Sequence, residues 1–245
     1  MAQSRAVKRP TPAAAPVLRG KRLALAAVGG VALALLLVGL SLVATRGGGK
    51  SASTPVVGAA DAASLVKGLP QQGFALGAPD APVTLEEYAD IQCPFCKRWA
   101  LEVMPTVVQQ YVRSGKVRVV FRPMAFIGDD SVRAARYVNA ASKQNKAWQL
   151  LDVLYRNQGV ENAGWASEGF VESAAKSVGL DVAKARAYAQ SDASMGALRT
   201  TSAIAANHGI DSTPSLLMRV RGGQAEQLDA FDTVALANAI DAALA

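Results

Sequence analysis

The chain has 245 residues, and its hydrophobic fraction of 51% with only 18% charged residues excludes an intrinsically disordered protein. Its formal net charge of +7 is concentrated at one end, because eight cations and no acids lie in residues 1–50. The remainder carries 18 basic and 19 acidic side chains, a balance that argues against nucleic-acid binding by the folded part of the chain.

The N-terminus has the pattern of a membrane anchor. Residues 1–22 form a basic leader, and residues 23–45 run for 23 positions without a charge, which is long enough to cross a bilayer core of about 30 Å. Because most of the cations precede this segment, the positive-inside rule predicts a cytoplasmic N-terminus and an extracytoplasmic body. A cleaved signal peptide is the alternative, but its apolar core is typically about 7–15 residues long.

The next segment, residues 46–70, is rich in Gly, Ser, Ala and Pro and has no aromatic residue. This composition predicts a flexible stalk that holds the body away from the membrane. We expect residues 71–245 to form the folded domain. We also expect a monomer.

A strand, a helix and a second strand open the domain. Residues 83–89 alternate as a strand, residues 94–112 carry apolar side chains at helical spacing, and residues 117–121 are mostly β-branched or aromatic. A strand–helix–strand unit of about 40 residues predicts two parallel neighbouring strands.

The chain then becomes helical over residues 129–208 and ends in a hairpin and a last helix. The predicted helices of this block cover residues 131–143, 146–158, 170–178 and 182–207, the last with a break expected near Gly196. Residues 215–220 and 224–228 predict a hairpin around Gly222-Gly223, followed by a helix over residues 231–244. The predicted fold class is therefore α/β, in the order βαβ, helical insertion, ββα.

The two cysteines of the chain form the motif Cys93-Pro94-Phe95-Cys96. A zinc site normally needs four ligands, and the chain adds only a single histidine, His208, more than a hundred residues away. A purely structural disulfide would close a very small loop and constrain the unfolded chain little. We therefore interpret the pair as a redox-active dithiol and expect no metal.

The local sequence supports redox chemistry. Pro94 suits the first position of a helix, so Cys93 is predicted to lie at the helix N-terminus. The partial positive charge there favours a thiolate and lowers the pKa of a thiol. Cys93 is thus predicted to be the attacking and leaving sulfur in exchange, and Cys96, one turn later, the sulfur that resolves the mixed disulfide.

Glu87 breaks the apolar pattern of the first predicted strand. By the period of two it shares a face with apolar residues, whereas Glu86 points to the other face. A carboxyl group buried there would have a raised pKa and could relay protons to and from Cys96. The alternative is a frayed strand with Glu87 in water.

Taken together, these features resemble a known family. Glu87, the motif from Cys93 to Cys96, the helical insertion and Thr213-Pro214 are similar to those of the DsbA-like exported thiol–disulfide oxidoreductases, over about residues 71–245. The resemblance implies a thioredoxin fold with a helical insertion, an acid at Glu87, and a cis proline at Pro214 facing the cysteines. It also implies substrate binding by Thr213, Pro214, Pro94 and Phe95. The disulfide Cys93–Cys96 would itself be the redox group, with no separate cofactor.

The same resemblance implies a function in the periplasm or cell envelope. Its members form disulfides in exported, cysteine-containing proteins, and a quinone-linked membrane partner of the DsbB or vitamin K epoxide reductase type reoxidises them. Phe95 departs from the best-known oxidases of the family, which carry a histidine there, so a less oxidising potential is expected. A reductase or isomerase of the same substrates and a non-catalytic peptide-binding module are the alternatives.

Overall fold

The computed structural model describes residues 55–221 and 223–245. Within these residues, no helix is both long and apolar enough to cross a membrane. The predicted basic leader, residues 1–22, and the predicted membrane anchor, residues 23–45, lie outside the described residues, as does Gly222 of the predicted hairpin turn.

A six-stranded sheet forms the centre of the described domain, with the strand order β1-β2-β4-β3-β5-β6. Its strands are β1 (Gln71–Gln72), β2 (Ala75–Leu76), β3 (Val83–Asp90), β4 (Val117–Met124), β5 (Ser215–Val220) and β6 (Glu226–Leu228). β3 pairs in parallel with β4 and antiparallel with β5, so the predicted parallel pair is confirmed. The short hairpin of β1 and β2 extends the sheet beside β4, and the sequence pattern did not indicate it.

The central strand, β3, is buried along nearly its whole length. Leu85 and Ala89 are fully buried on the face that carries Glu87, and Glu86 and Tyr88 are buried on the other face. Both strand neighbours satisfy its backbone hydrogen bonds. The strand that leads into the cysteine motif is therefore held firmly inside the domain.

A helix lies in the segment that was predicted to be a flexible stalk. This helix, α1 (Ala59–Val66), buries Ala62 and Val66, which lie one turn apart. Arg113 donates a hydrogen bond to the carbonyl oxygen of Leu65 at 2.9 Å, which satisfies a free carbonyl group near the helix end. The domain therefore begins upstream of residue 71, and the stalk prediction is wrong over this segment because Ala62 and Val66 pack as one buried helix face.

The cysteine motif opens a helical run over residues 94–112, as predicted. The run begins as α2 (Pro94–Arg98), widens into a π-helical turn (Trp99–Val103), returns to an α-helix as α3 (Met104–Val107), and ends in a second π-helical turn (Val108–Val112). Pro105 accounts for the first irregularity. Proline has no N–H to donate, and its ring clashes with the carbonyl group of the residue four positions earlier, Leu101.

The helical insertion lies between β4 and β5, as predicted. Its helices are α4 (Asp129–Ser142), α5 (Ala147–Arg156), α6 (Glu168–Ser177), α7 (Val182–Ala189) and α8 (Asp192–Asn207). The predicted break near Gly196 is wrong, because Gly196 lies inside α8. The break falls at Ser191 instead, whose hydroxyl oxygen caps α8 by accepting a hydrogen bond from the backbone N–H of Ser194 at 3.3 Å.

The chain ends with the hairpin of β5 and β6 and a last helix, α9 (Thr233–Leu244). Asp232 caps this helix, since its carboxylate accepts a hydrogen bond from the backbone N–H of Ala235 at 2.8 Å. Leu236 and Ile240, one turn apart, pack into the same core as the apolar residues of β3. The predicted order βαβ, helical insertion, ββα is confirmed.

Candidate active site

Cys93 and Cys96 lie where β3 leads into α2. Cys93 caps α2, Pro94 is its first residue, and the backbone N–H of Cys96 donates a hydrogen bond to the Cys93 sulfur at 3.4 Å. Both thiols are free, so this is the dithiol form. Cys93 is 6% exposed and Cys96 is completely buried. An incoming sulfur can therefore reach Cys93 but not Cys96.

The two thiols differ strongly in acidity. The pKa of Cys93 is lowered from 9.0 to about 6, chiefly by the hydrogen bond with the Cys96 side chain. Burial raises the pKa of the Cys96 thiol far above its usual range, and the neighbouring charges of Cys93 and Glu87 raise it further. At neutral pH, Cys93 is therefore largely a thiolate while Cys96 keeps its proton, which is the asymmetry expected of an attacking and a resolving sulfur.

The loop before β5 lies against the reactive sulfur. The Thr213–Pro214 peptide bond is cis, and the carbonyl oxygen of Thr213 lies 3.4 Å from the Cys93 sulfur. Both residues are partly exposed, so this loop is partly open to solvent beside Cys93. The structure thus brings Thr213 and Pro214 to the cysteines, and their part in substrate binding stays a prediction.

Aromatic side chains lie at and beside the cysteine motif. Phe95, inside the motif, is 58% exposed. The ring of Phe95 lies 6.3 Å from that of Phe231, and the guanidinium of Arg98 lies 4.7 Å above the Phe231 ring. Exposed aromatic groups next to a reactive sulfur form an apolar surface on which a partner can dock.

Glu87 is buried close to Cys96, on the face that the sequence pattern predicts. It is only 2% exposed, and burial raises its pKa from 4.5 to about 8, against a small opposing effect of Trp99. Glu87 Oε1 and Trp99 Nε1 have no hydrogen-bond partner among the described residues, so the indole is near the carboxyl group without bonding it in normal geometry. The alternative of a frayed strand with Glu87 in water is wrong.

Asp90 anchors the end of β3, a role that the sequence analysis missed. Its side chain is completely buried and accepts four hydrogen bonds, from the backbone N–H groups of Gln92, Phe126 and Ile127 and from the hydroxyl of Ser131. One carboxylate therefore ties the cysteine loop to the start of the helical insertion. The sequence signal that could have indicated this role is an acidic residue at the end of a buried strand.

Residues of the helical insertion also form hydrogen bonds directly with the cysteine loop. The Gln158 amide donates hydrogen bonds to the carbonyl oxygens of Ile91 and Cys93, at 2.6 and 3.1 Å. Gln92 accepts a hydrogen bond from the backbone N–H of Asn162 at 2.7 Å. Nothing in the sequence identified these amide side chains, because their partners lie 65 to 70 residues away.

Comparison with known proteins agrees with this geometry. The thioredoxin family model matches residues 70–234. The chain belongs to the thioredoxin family. The predicted thioredoxin-like α/β fold with a helical insertion is therefore confirmed.

Three Bacillus relatives of the chain are disulfide-forming proteins by name. A curated Bacillus cereus protein, "Probable disulfide bond formation protein D", is 37% identical over 103 residues, covering 41% of this chain and 48% of that protein. The chain spans about half the length of these three Bacillus relatives. It also matches curated proteins named Na(+)/H(+) antiporter NhaA, over only 13–14% of their length. The structure of oxidised BdbD from Bacillus subtilis has a TM-score of 0.64 and 21% identity, covers 72% of this chain and 97% of its own, and shows the shared fold.

A third relative has a higher sequence identity than BdbD and is also matched over nearly its whole length. The crystal structure of Pseudomonas aeruginosa DsbA2 is 30% identical, with a TM-score of 0.57, and the match covers 73% of this chain and 97% of that one. Together these relatives place the chain among the DsbA-like members of its family, as the cysteine motif and Thr213-Pro214 predicted.

Proposed function

We propose that the protein is a membrane-tethered, extracytoplasmic thiol–disulfide oxidoreductase that forms disulfides in exported proteins through Cys93 and Cys96. The acidity difference between these two thiols carries the proposal. A Cys93 pKa of about 6 stabilises the reduced protein, and a stable reduced form makes the Cys93–Cys96 disulfide an oxidant. The names of the relatives support the oxidising direction.

The reaction proceeds by two sulfur exchanges. A substrate thiolate attacks the Cys93 sulfur, forming a substrate–Cys93 disulfide and breaking the Cys93–Cys96 bond. Cys96 leaves as a thiolate and takes a proton from Glu87, whose carboxyl group is protonated below its pKa of about 8. A second substrate thiolate then attacks the substrate sulfur of the mixed disulfide and expels Cys93 as a thiolate. Two electrons pass from the substrate to the protein.

The surface around Cys93 would bind the substrate. The loop of Thr213 and Pro214 would pair through its backbone with an extended peptide, which is a common mode of peptide recognition. Pro94 and Phe95 would contribute apolar contacts, since both are exposed. Because backbone contacts read no side chain, this surface suits many unfolded exported proteins with free cysteines.

We further propose a single-pass anchor at the cell membrane. The evidence is the basic leader, residues 1–22, and the uncharged segment, residues 23–45, which together favour a cytoplasmic N-terminus and an extracytoplasmic domain. An anchored domain meets membrane partners readily, so the reoxidase is a quinone-linked membrane protein of the DsbB or vitamin K epoxide reductase type. The protein acts as a monomer and needs no cofactor beyond its own disulfide.

Exchange with a reduced peptide tests the proposed function. The oxidised full-length protein is mixed with a reduced peptide that contains two cysteines, and mass spectrometry follows the hydrogens on both. We expect the peptide to lose two hydrogens and the protein to gain two, and Cys93→Ser to abolish the exchange. Because the single-cysteine variants have no disulfide of their own, they are also mixed with the disulfide form of the peptide. The Cys93 thiolate of Cys96→Ser is then expected to attack this disulfide and accumulate as a mixed disulfide.

The alternatives give different results in the same experiment. A reductase would leave the peptide reduced at equilibrium and would instead reduce its disulfide form. A binding module would retain the peptide without any transfer of hydrogens. Accumulation of a mixed disulfide on Cys96 would reverse the assigned roles of the two cysteines.

A further inference from the structure

A cavity of about 20 Å³ adjoins Glu87 inside the domain. Asp152 and Tyr155 of α5 line it together with Glu87, and apolar side chains complete the wall, among them Leu65 of α1 and Phe121 of β4. This volume holds about one water molecule, and a buried water needs about two to four polar partners.

Three of the residues around the cavity carry polar groups. Glu87 Oε1 is a buried oxygen with no hydrogen-bond partner among the described residues. The Tyr155 hydroxyl donates to the carbonyl oxygen of Asp90 at 3.4 Å, which leaves its own oxygen free to accept. Asp152 adds a carboxylate. Two acidic side chains therefore face the same one-water space.

Asp152 joins this cavity to the protein surface. Its side chain is only 5% exposed, and its Oδ1 accepts a hydrogen bond from Arg156 Nε at 2.5 Å. The Arg156 side chain is 31% exposed and its guanidinium lies 3.7 Å from Asp61 of α1, which is 67% exposed. A line of charged groups thus runs from the cavity wall to solvent.

The proton that Cys96 gains or loses needs a path between the buried thiol and solvent. Cys96 and Glu87 are 0% and 2% exposed, so neither exchanges protons with bulk water directly. Cys93 is the more accessible cysteine of the pair, at 6% exposed, and a bound substrate covers it in the mixed disulfide. The line through Asp152 and Arg156 makes no hydrogen bond to the cysteine motif, so substrate binding at Cys93 leaves it unchanged.

We propose that Asp152 is a positioning residue for proton transfer, with one water in the cavity passing the proton between Glu87 and Asp152 while Arg156 and Asp61 hold the solvent end. The inference rests on the proposed role of Glu87 toward Cys96. When Cys96 attacks a mixed disulfide, its S–H bond breaks and Glu87 gains the proton. Glu87 then gives a proton to the water, the water gives one to Asp152, and Asp152 releases it to solvent. In the oxidising direction each transfer is reversed.

The charges around Asp152 suit this role. Burial is the largest influence and raises the pKa of Asp152, while Arg156 on its own helix lowers it and Asp61 on α1 raises it. Glu87 on β3 and Tyr155 on the same helix as Asp152 are the other titratable residues that line the cavity. The raised pKa of Asp152 brings it closer to that of Glu87, and a smaller pKa difference makes transfer between the two less uphill.

Reaction with dithiobis(nitrobenzoate) separates the two sulfur steps. In the reduced full-length protein, Cys93 attacks the reagent and releases one thionitrobenzoate, and Cys96 then attacks the mixed disulfide and releases a second. Asp152→Asn keeps an oxygen for Arg156 but cannot take up a proton. We expect an unchanged first phase and a second phase slowed about tenfold, less than the roughly 10²–10⁴-fold effect of a group that transfers the proton directly.

The pH profile distinguishes proton transfer from a loosened structure. In Asp152→Asn, the second phase is expected to rise more steeply with pH than in the wild type, because hydroxide must replace the missing acceptor. Asp192→Asn, an exposed aspartate at the start of α8, is the matched control and leaves both phases unchanged. A wild-type second phase in Asp152→Asn would overturn the proposal.

Glu87→Gln separates this inference from the proposed function. If the proton passes through Glu87 and Asp152 in series, the double variant is no slower than Glu87→Gln alone. Effects that multiply would mean that Asp152→Asn acts through the structure, and would overturn the inference while leaving the role of Glu87 intact. An unchanged second phase in Glu87→Gln would overturn the role of Glu87 and this inference with it.

Ala100→Val tests the water path without altering a charge. Ala100 lines the cavity, and the added methyl groups fill the space that the water needs. We expect the second phase to slow as in Asp152→Asn, with a normal first phase. This variant decides the question if Asp152→Asn does not fold, and a normal second phase would exclude the water path.

Discussion

Replacing Glu87 by Gln removes the titration of the buried carboxyl group. Burial raises the pKa of Glu87 from 4.5 to about 8, so at neutral pH folding must protonate a group that is ionised in the unfolded chain. Because the folded-state pKa lies above the unfolded one, the stability that neutral Glu87 contributes is complete below the unfolded pKa and is lost as the pH rises toward 8. Glu87→Gln binds no proton and avoids this loss.

The expected size follows from the pKa difference. One pKa unit corresponds to about 1.4 kcal/mol, so the shift from 4.5 to about 8 predicts a gain for Glu87→Gln over the wild type of about 3 kcal/mol between about pH 4 and about pH 7. A hydrogen bond that the amide gains or loses in the cavity contributes equally at both pH values. The change of the difference with pH is therefore the quantity to compare.

Urea unfolding of the oxidised protein in detergent measures this quantity. The oxidised form is chosen because it has no thiol to titrate. Glu161→Gln, at an exposed position, should show no pH-dependent gain. Glu86→Gln should instead destabilise, because Glu86 accepts a hydrogen bond from Arg122 at 2.5 Å. A difference between Glu87→Gln and the wild type that is constant with pH would refute the raised pKa.

Three further outcomes are expected. Asp90→Asn should lower the free energy of unfolding by about 2–4 kcal/mol in urea, because an amide cannot accept all four hydrogen bonds, whereas exposed Asp80→Asn should not; equal stability would contradict the anchoring role. Phe95→His should lower the pKa of Cys93 and so give a more oxidising potential against glutathione, by about 30 mV for each unit by which the Cys93 pKa falls. An unchanged potential would refute an influence of position 95 on the Cys93 thiolate. The full chain should resist carbonate extraction, whereas a soluble mature form would identify residues 23–45 as a signal peptide.

Features set by local sequence could be predicted. The period of two alone places Glu87 on the same face of β3 as Leu85 and Ala89, because every second residue of a strand shares a face. Pro94 alone indicates where α2 begins, since its missing N–H is tolerated at that position. The element order followed from hydrophobic periodicity in the same way.

Features set by distant partners could not be predicted. Two partners of Asp90, Phe126 and Ile127, lie 36 and 37 residues away, and no local pattern specifies such a pairing. The same holds for α1, whose composition resembles a linker until its small apolar face meets the core. Helix boundaries also depended on single hydroxyl caps, as at Ser191.

Alkylation of each cysteine by iodoacetamide, followed across pH by residue-specific mass spectrometry, tests most directly the claim that Cys93 is the nucleophile of an oxidoreductase. We expect Cys93 of the reduced protein to react with a midpoint near its pKa of about 6. Cys96 is expected to stay unmodified while the protein is folded, because its thiol is completely buried. Equal labelling of both cysteines, or a Cys93 midpoint near the ordinary thiol value of about 8.5, would contradict this claim.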